Sequence, residues 1–322
     1  MVKLTITSNE AGQRLDRFLR KYLRRATLGT IYKLIRKDVK VNGKREKEDL
    51  ILREGDTVQI YIPQQRLAEL SVPVKEKTAR KQFKVVYEDG NVLAVHKPKG
   101  LLVHGDLREK KNTLVNQVCG YLQEKGEFDP SKERTFRPSP AGRLDRNTTG
   151  LVMFGKNAAA LRGLTEAMRN RGWLDKYYLA AAWGTVRGPF TVEGNMERDR
   201  EKNISSAADP GAGKEAVTEV FPVIAGERFS IVKIKLITGR THQIRLHMAE
   251  AGFPLAGDPK YGRNDANEYM REKFGINVQQ LHAWRMEAVR LPHPLEYLLG
   301  KTFEAPPPAI FSQLEEYIAK ER

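Results

Sequence analysis

The chain is poor in the residues that staple, ligate or span. A single cysteine, Cys119, among 322 residues rules out an intramolecular disulfide; it falls in a helical pattern and is expected to be an inert core thiol. Six histidines are scattered, and His242 and His247 stand five apart without the HExxH spacing of a helical zinc site. No apolar run approaches the ~18–20 residues a membrane helix needs, and the opening MVKLTITSNEAG has no apolar stretch of the signal-peptide kind. No GxGxxG follows a strand and no GxSxG occurs. GAGKEA at 211–216 has Glu where a phosphate-binding loop needs Ser or Thr. These absences point to a cytoplasmic protein, a monomer by default because nothing demands self-association, whose chemistry uses no metal or nucleotide.

Acid is also in short supply. Against 56 Lys+Arg stand 40 Asp+Glu, a net charge of +16, which suggests a polyanionic partner such as nucleic acid. The excess is concentrated: residues 1–63 hold 15 basic against 8 acidic side chains. Within QRLDRFLRKYLRR (13–25), Leu15, Phe18, Leu19, Tyr22 and Leu23 share one helical stripe, with Arg17 and Arg20 off it. A second short helix turns Ile31, Leu34 and Ile35 inward and Lys33, Arg36 and Lys37 outward. VKVNGK carries an Asn42-Gly43 turn, and TVQIYI alternates as a strand. Two basic helices leading into a small twisted sheet resemble the RNA-binding fold named after small-subunit ribosomal protein S-four. That resemblance implies a clamp whose Arg17, Arg20, Lys33, Arg36 and Lys37 hold phosphates. Residues 64–82 are polar and weakly periodic and read as a linker.

From Phe83 the texture changes. FKVVYE and NVLAVHKP, joined by Asp89-Gly90, form a hairpin; 112–126 and 158–172 read as helices stopped by Gly126 and Gly172. LVMFGKN, KYYLAAAWGTV (176–186), FSIVKIKLITG and LHAWRMEAVRLPHP read as strands, and THQIRLHMAEAG as a helix. Hairpin links are as frequent as helical crossovers, so the expected fold is α+β: a small N-terminal αβ module (1–63), a linker (64–82), and a larger domain (83–322) on a mixed, mainly antiparallel sheet flanked by helices. RNDANEYMREKFGINVQQ (263–280) reads as a polar insertion.

Residues 142–150, GRLDRNTTG, hold Asp145 between Arg143 and Arg146. Alone, this is a solvated ion pair followed by a polar turn. Four phrases in one order change that reading: HKPKGLLVHG (96–105), GRLDRNTTGLVMFGKN (142–157), TGRTHQIRLHMAEAGFPLAGDPKYG (238–262) and LHAWRMEAVRLPHP (281–294). With KYYLAAAWG (176–184) they resemble the RluA-type pseudouridine synthases over roughly residues 83–300, and an S-four-like module in front is common among that family's ribosomal members. The resemblance implies isomerisation of uridine in RNA without metal or cofactor, on large-subunit ribosomal RNA or else on transfer RNA; the rival reading is a non-catalytic RNA-binding or ribosome-assembly factor. It implies that Asp145 is the essential carboxylate, acting as a nucleophile at the anomeric carbon or as a base on the ribose. Arg245 is its implied partner, and Tyr178 stacks on uracil and takes the proton from carbon five. Arg143 is implied to enter the RNA stack as the target base leaves. Arg240 and His242 are candidates for phosphate or base contacts, and Ile237 and Leu281 for the wall of the uracil pocket. Two positions depart from the family pattern: Gly142 stands where His is usual, and Thr149 where a smaller residue is usual.

Overall fold

Residues 1–71, 79–199, 204–209 and 211–321 are described here from a computed structural model. The N-terminal module comprises β1 (Val2–Thr5), α1 (Leu15–Tyr22), α2 (Leu28–Asp38), β2 (Val39–Val41) and β3 (Thr57–Ile60). Its strands form an antiparallel sheet in the order β1-β3-β2. The apolar stripe read from the sequence is the core: Leu15, Phe18, Leu19, Leu23, Ile31 and Ile35 are buried with Val58 and Ile60. Thr27 caps α2, its hydroxyl accepting from the Thr30 N–H at 3.2 Å.

The expected linker is in part a helix. α3 (Gln64–Leu70) buries Leu70 in the small core with Leu67 packed beside it, and the Arg25 N–H donates to the Leu70 carbonyl at 3.1 Å. Two leucines three apart suffice to seat one helical turn, a signal too short to rise above the surrounding polarity. Residues 72–78 of that linker lie outside the described residues. The module is docked on the larger unit. The Arg134 guanidinium donates to Glu10 and to the Thr5 carbonyl at 2.8 and 2.7 Å, and Asn9 bonds both Glu133 and the Ala158 N–H at 3.0 Å.

The larger unit contains β4 (Lys84–Glu88), β5 (Val92–Lys97), α4 (Leu114–Glu124), β6 (Ser139–Pro140), β7 (Thr149–Gly155), α5 (Ala158–Arg169), β8 (Leu174–Trp183), β9 (Phe190–Asp199), β10 (Ile204–Ala208), β11 (Lys214–Ala225), β12 (Phe229–Leu236), α6 (Gln243–Glu250), α7 (Asn264–Phe274), β13 (Leu281–Ala288), β14 (Thr302–Glu304) and α8 (Ala309–Glu321). Its strands make one 11-stranded sheet, β10-β9-β11-β12-β8-β13-β7-β5-β4, with β14 on β13 and β6 on β7. Among the described strands of this sheet, every pairing is antiparallel except β13 with β7. The mixed, mainly antiparallel sheet expected from the hairpin links is therefore present. β7 is buried on both faces, with α4 covering one and α5 the other, and this explains its unbroken LVMF run. Cys119 sits in the α4 core as expected, with the Arg137 Nε–H directed at its sulfur at 3.2 Å.

Within 263–280, read as a polar insertion, Asn264–Phe274 form helix α7. Its Ala266 is buried, and its Met270 packs with α8 against the back of β8 and β12. Only two residues of α7 are fully buried, so its sequence looks polar. No helix among the described residues is long and apolar enough to cross a membrane.

Candidate active site

The site forms where the parallel pairing of β13 with β7 brings the loop before β7 against the mouth of the sheet. Gly150 makes that approach possible. Its φ is +110°, and a Cβ there would lie 2.1 Å from the Ala283 carbonyl oxygen. The preceding Thr149 hydroxyl lies 2.8 Å from Nδ1 of His282, so its extra hydroxyl has a partner on β13. The stretch between, 142–148, is pinned twice more. The Thr148 N–H donates to the Asp145 carbonyl at 3.2 Å, and the Lys97 ammonium donates to the carbonyl of Arg146 at 2.9 Å. Lys97 is 0% exposed and also donates to the carbonyls of Leu101 and Pro98 at 2.8 and 3.0 Å, tying the HKPKG and RLDR segments into one scaffold.

Opposite stands the start of α6. Gln243 builds it: its Oε1 accepts from Thr238 Oγ1 and the Arg240 N–H, and its Nε2 donates to the Val217 carbonyl and to Thr218. His242 at the helix start is held left-handed with φ of 57°. This packing aims Arg245 inward. Its Nη1 donates to Asp145 Oδ2 at 2.9 Å, while its Nε and second Nη donate to the two oxygens of Asp258 at 2.7 and 2.8 Å. The guanidinium therefore bridges two carboxylates with different surroundings. Asp258 is completely buried, and Asp145 keeps 26% of its side chain exposed to the cavity. Burial pushes the Asp258 carboxyl up, but the Arg245 bonds and charge outweigh it and leave it below the usual range. Burial likewise acts to lower Arg245, and Asp258 and Asp145 together raise it above its ordinary value.

His242 closes the cluster. Its Nε2 is 3.6 Å from Asp145 Oδ2 and its Nδ1 is 3.0 Å from the Tyr261 hydroxyl. Burial lowers the imidazole more than the Asp145 charge raises it, which favours the neutral ring. The Tyr261 ring lies under the Arg245 guanidinium, 5.2 Å from its centroid.

Between these walls lies a cavity of about 360 Å³ lined by Asp145, Arg245, His242, Tyr178, Leu236 and Leu281 among others. Strand alternation sends the adjacent tyrosines of β8 to opposite faces. Tyr178 points into the cavity, and Tyr177 lies on the opposite face near Lys233 and Lys235. Burial and the Asp145 charge both raise the Tyr178 phenol, so it stays protonated at neutral pH. The same alternation corrects one expectation. Leu236, in register with Tyr178's neighbour Ile234, lines the cavity; Ile237 does not, and its N–H donates to the Val217 carbonyl. Arg143 lies exposed at the rim. Arg240 also lines the cavity, with its Nε donating to the Glu215 carbonyl at 2.9 Å. Arg17, Arg20, Lys33, Arg36 and Lys37 are exposed on the N-terminal module, outside the cavity. Sequence reasoning missed Lys97, Gln243, Asp258 and Tyr261, although each stands inside a phrase that carried the resemblance.

A carboxylate that is oriented by a buried arginine, faces a tyrosine and is walled by leucines suits chemistry at a ribose with a base ring held beside it. Comparison with known proteins agrees. The family model described as RNA pseudouridylate synthase matches residues 91–250. The chain is 31% identical to the uncharacterized RNA pseudouridine synthase YlyB of Bacillus subtilis (strain 168), over 99% of this chain and 98% of that protein. It is 33% identical to ribosomal large subunit pseudouridine synthase C of Escherichia coli (strain K12), over 90% and 88% of the two chains. Among solved structures, human RNA pseudouridylate synthase domain containing 4 superposes with a TM-score of 0.56 at 19% identity, covering 73% of this chain and 92% of that one. The chain belongs to the RNA pseudouridine synthase family. It is an isomerase of the RluA type, similar to the enzymes named ribosomal large subunit pseudouridine synthase C.

Proposed function

We propose that this enzyme is a cytoplasmic monomer that isomerises uridines of large-subunit ribosomal RNA, with Asp145 as its catalytic carboxylate. The observation that carries the reading is the Asp145–Arg245 pair at 2.9 Å opening on a cavity faced by Tyr178. Asp145 either attacks the anomeric carbon or removes a ribose proton; in both routes it acts as an anion whose second oxygen is free of Arg245. Tyr178 stacks on the displaced uracil beside carbon five, and Leu236 and Leu281 pack its edges. Arg143 at the rim takes the place of the extruded base, because a glycosidic carbon inside a stacked helix is out of reach. Arg240 and His242 contact the target nucleotide.

Residues 1–63, extended by α3, serve as an S-four-like clamp on the RNA backbone through Arg17, Arg20, Lys33, Arg36 and Lys37, with residues 83–322 as the catalytic domain. The name of the Escherichia coli relative, ribosomal large subunit pseudouridine synthase C, and its 33% identity support the ribosomal substrate. The test is tritium release from RNA labelled at carbon five of uridine, comparing unmodified large-subunit ribosomal RNA with transfer RNA. Release from the ribosomal RNA alone is expected; release from transfer RNA alone would overturn the substrate assignment.

A further inference from the structure

Two residues before Tyr178 on the same face of β8, Lys176 also lines the catalytic cavity. Strand geometry places the two residues about 7 Å apart along the wall. Lys176 is 8% exposed, yet among the described residues no hydrogen bond or ion pair reaches its ammonium. The adjacent Asp175 is spent on Lys235 at 2.7 Å, and Asp145 is held by Arg245. A buried lysine without a counter-ion is expensive to keep, and burial lowers its proton affinity although Asp175 pulls the other way.

The surroundings say what the missing partner is. Met153, Met168 and Met286 line the same cavity as Lys176, and Met286 stands directly across from Lys176 in the β13–β8 register. Gly142 leaves the cavity open, since a Cβ there would find only the Met168 sulfur at 3.9 Å. A phosphate suits the mouth, where Arg143 and Arg169 are exposed to water. A flat ring with carbonyl oxygens suits an apolar lobe that ends in an ammonium.

We propose that Lys176 is a further catalytic residue, which binds a carbonyl oxygen of the target uracil and stabilises the uracil anion formed when its bond to the ribose breaks. This rests on the pseudouridine synthase reading of the site. When the C1′–N1 bond breaks, its electron pair passes to N1 and spreads over O2 and O4. The lysine keeps its proton and supplies the opposing charge. The anion exists only during reaction, so the interaction favours the transition state over the bound substrate. It also holds the freed ring in the cavity while carbon five turns toward the ribose.

The test is single-turnover kinetics of Lys176→Met on ribosomal RNA containing uridine or 5-fluorouridine, read as loss of the starting nucleoside after digestion. Fluorine at carbon five stabilises the uracil anion by itself. With uridine the variant should be slower by about 10²-fold, the usual effect of removing one donor to a developing anion. With 5-fluorouridine the defect should shrink by about tenfold or more, and RNA affinity should not change. Its melting temperature should equal or exceed wild type, because an unpaired buried charge has been removed. Ethylammonium should restore activity to Lys176→Ala, which guards against misfolding of the Met variant. Equal defects on both substrates, a uridine rate near wild type, or a lowered melting temperature without rescue would overturn the proposal. If the wild type acts on uridine and Lys176→Met matches it, this proposal alone fails; a wild type inactive on every RNA overturns the functional reading as well.

Discussion

Replacing Asp258 with Asn probes the support behind Asp145, the proposed catalytic carboxylate, without touching the cavity. Asp258 is fully buried and receives two bonds from Arg245 and two from the N–H groups of Lys260 and Tyr261 at 2.9 and 3.2 Å. Asn keeps the shape, but its amide nitrogen must face either a guanidinium or a backbone N–H, donor against donor. It also leaves the Arg245 charge, 5% exposed, with only the half-open Asp145 as counter-ion. Removing one partner of a buried pair costs about 3–5 kcal/mol. For a chain of this size that lowers the melting temperature by on the order of 10 °C. Freed of Asp258, the guanidinium shifts toward Asp145, and a misplacement of about 1 Å costs on the order of 10²-fold in rate. Melting curves and tritium release well below the melting point measure the two effects separately. The acid limb adds a third readout. The Asp258 pKa is lowered in the folded protein, so its stabilisation is present above the ordinary carboxylate range of about 4 and is lost as pH falls through the lowered value. Asp258→Asn should lose that part of the acid dependence. A variant with wild-type melting, rate and acid profile would refute the reasoning.

At Lys97, activity and stability should respond to pH in opposite directions. Burial pulls its ammonium down to about 7 against the charge of Asp145. Above that pH the amine has two protons for three carbonyls, so the loop bearing Asp145 loosens and activity should fall. Over the same window, up to about 10.4, the unfolded chain binds the extra proton, so the contribution of Lys97 to stability rises with pH. Activity and stability that rise together across this window would contradict the assignment. Lys97→Met should also lose both rate and stability, because each unpaired buried carbonyl costs about 1–3 kcal/mol. Changing Arg17, Arg20, Lys33, Arg36 and Lys37 to Gln should leave melting unchanged, since all five are exposed. It should lessen the dependence of log affinity on log salt by about 0.7–0.9 per lost phosphate contact; an unchanged slope would exclude the clamp. Charge removal is the cleaner test than deleting the module, because Asn9 and Glu10 anchor it to the catalytic unit.

Much of this architecture was legible where periodicity and chemistry coincide. The stripe of Leu15, Phe18 and Leu19 and the β4–β5 hairpin follow from spacing alone, while the choice of Tyr178 over Tyr177 needed the family's KYY phrase as well as strand alternation. The pairing of Asp145 with Arg245, a hundred residues apart, came from the family's phrases and not from any local pattern. What escaped reading had weak or ambiguous periodicity. α3 buries one leucine, α7 buries two residues, and the β9–β10–β11 ribbon exposes much of one face. Ile237 was misplaced by one position at the end of β12, and in a strand one position is the other face. Lys97 and Asp258 were invisible for another reason. A buried charge looks like a surface charge until the structure shows what it holds.

Asp145 is the residue on which the proposed reaction depends. Asp145→Asn keeps the size of the side chain and removes no cation, so RNA affinity and its salt dependence should match wild type while tritium release from large-subunit ribosomal RNA stops. Measuring release and binding on the same preparation is the most direct test. Sustained release by Asp145→Asn would contradict the assignment of the catalytic carboxylate, and parallel loss of binding and release would mean that Asp145 holds RNA and performs no chemistry.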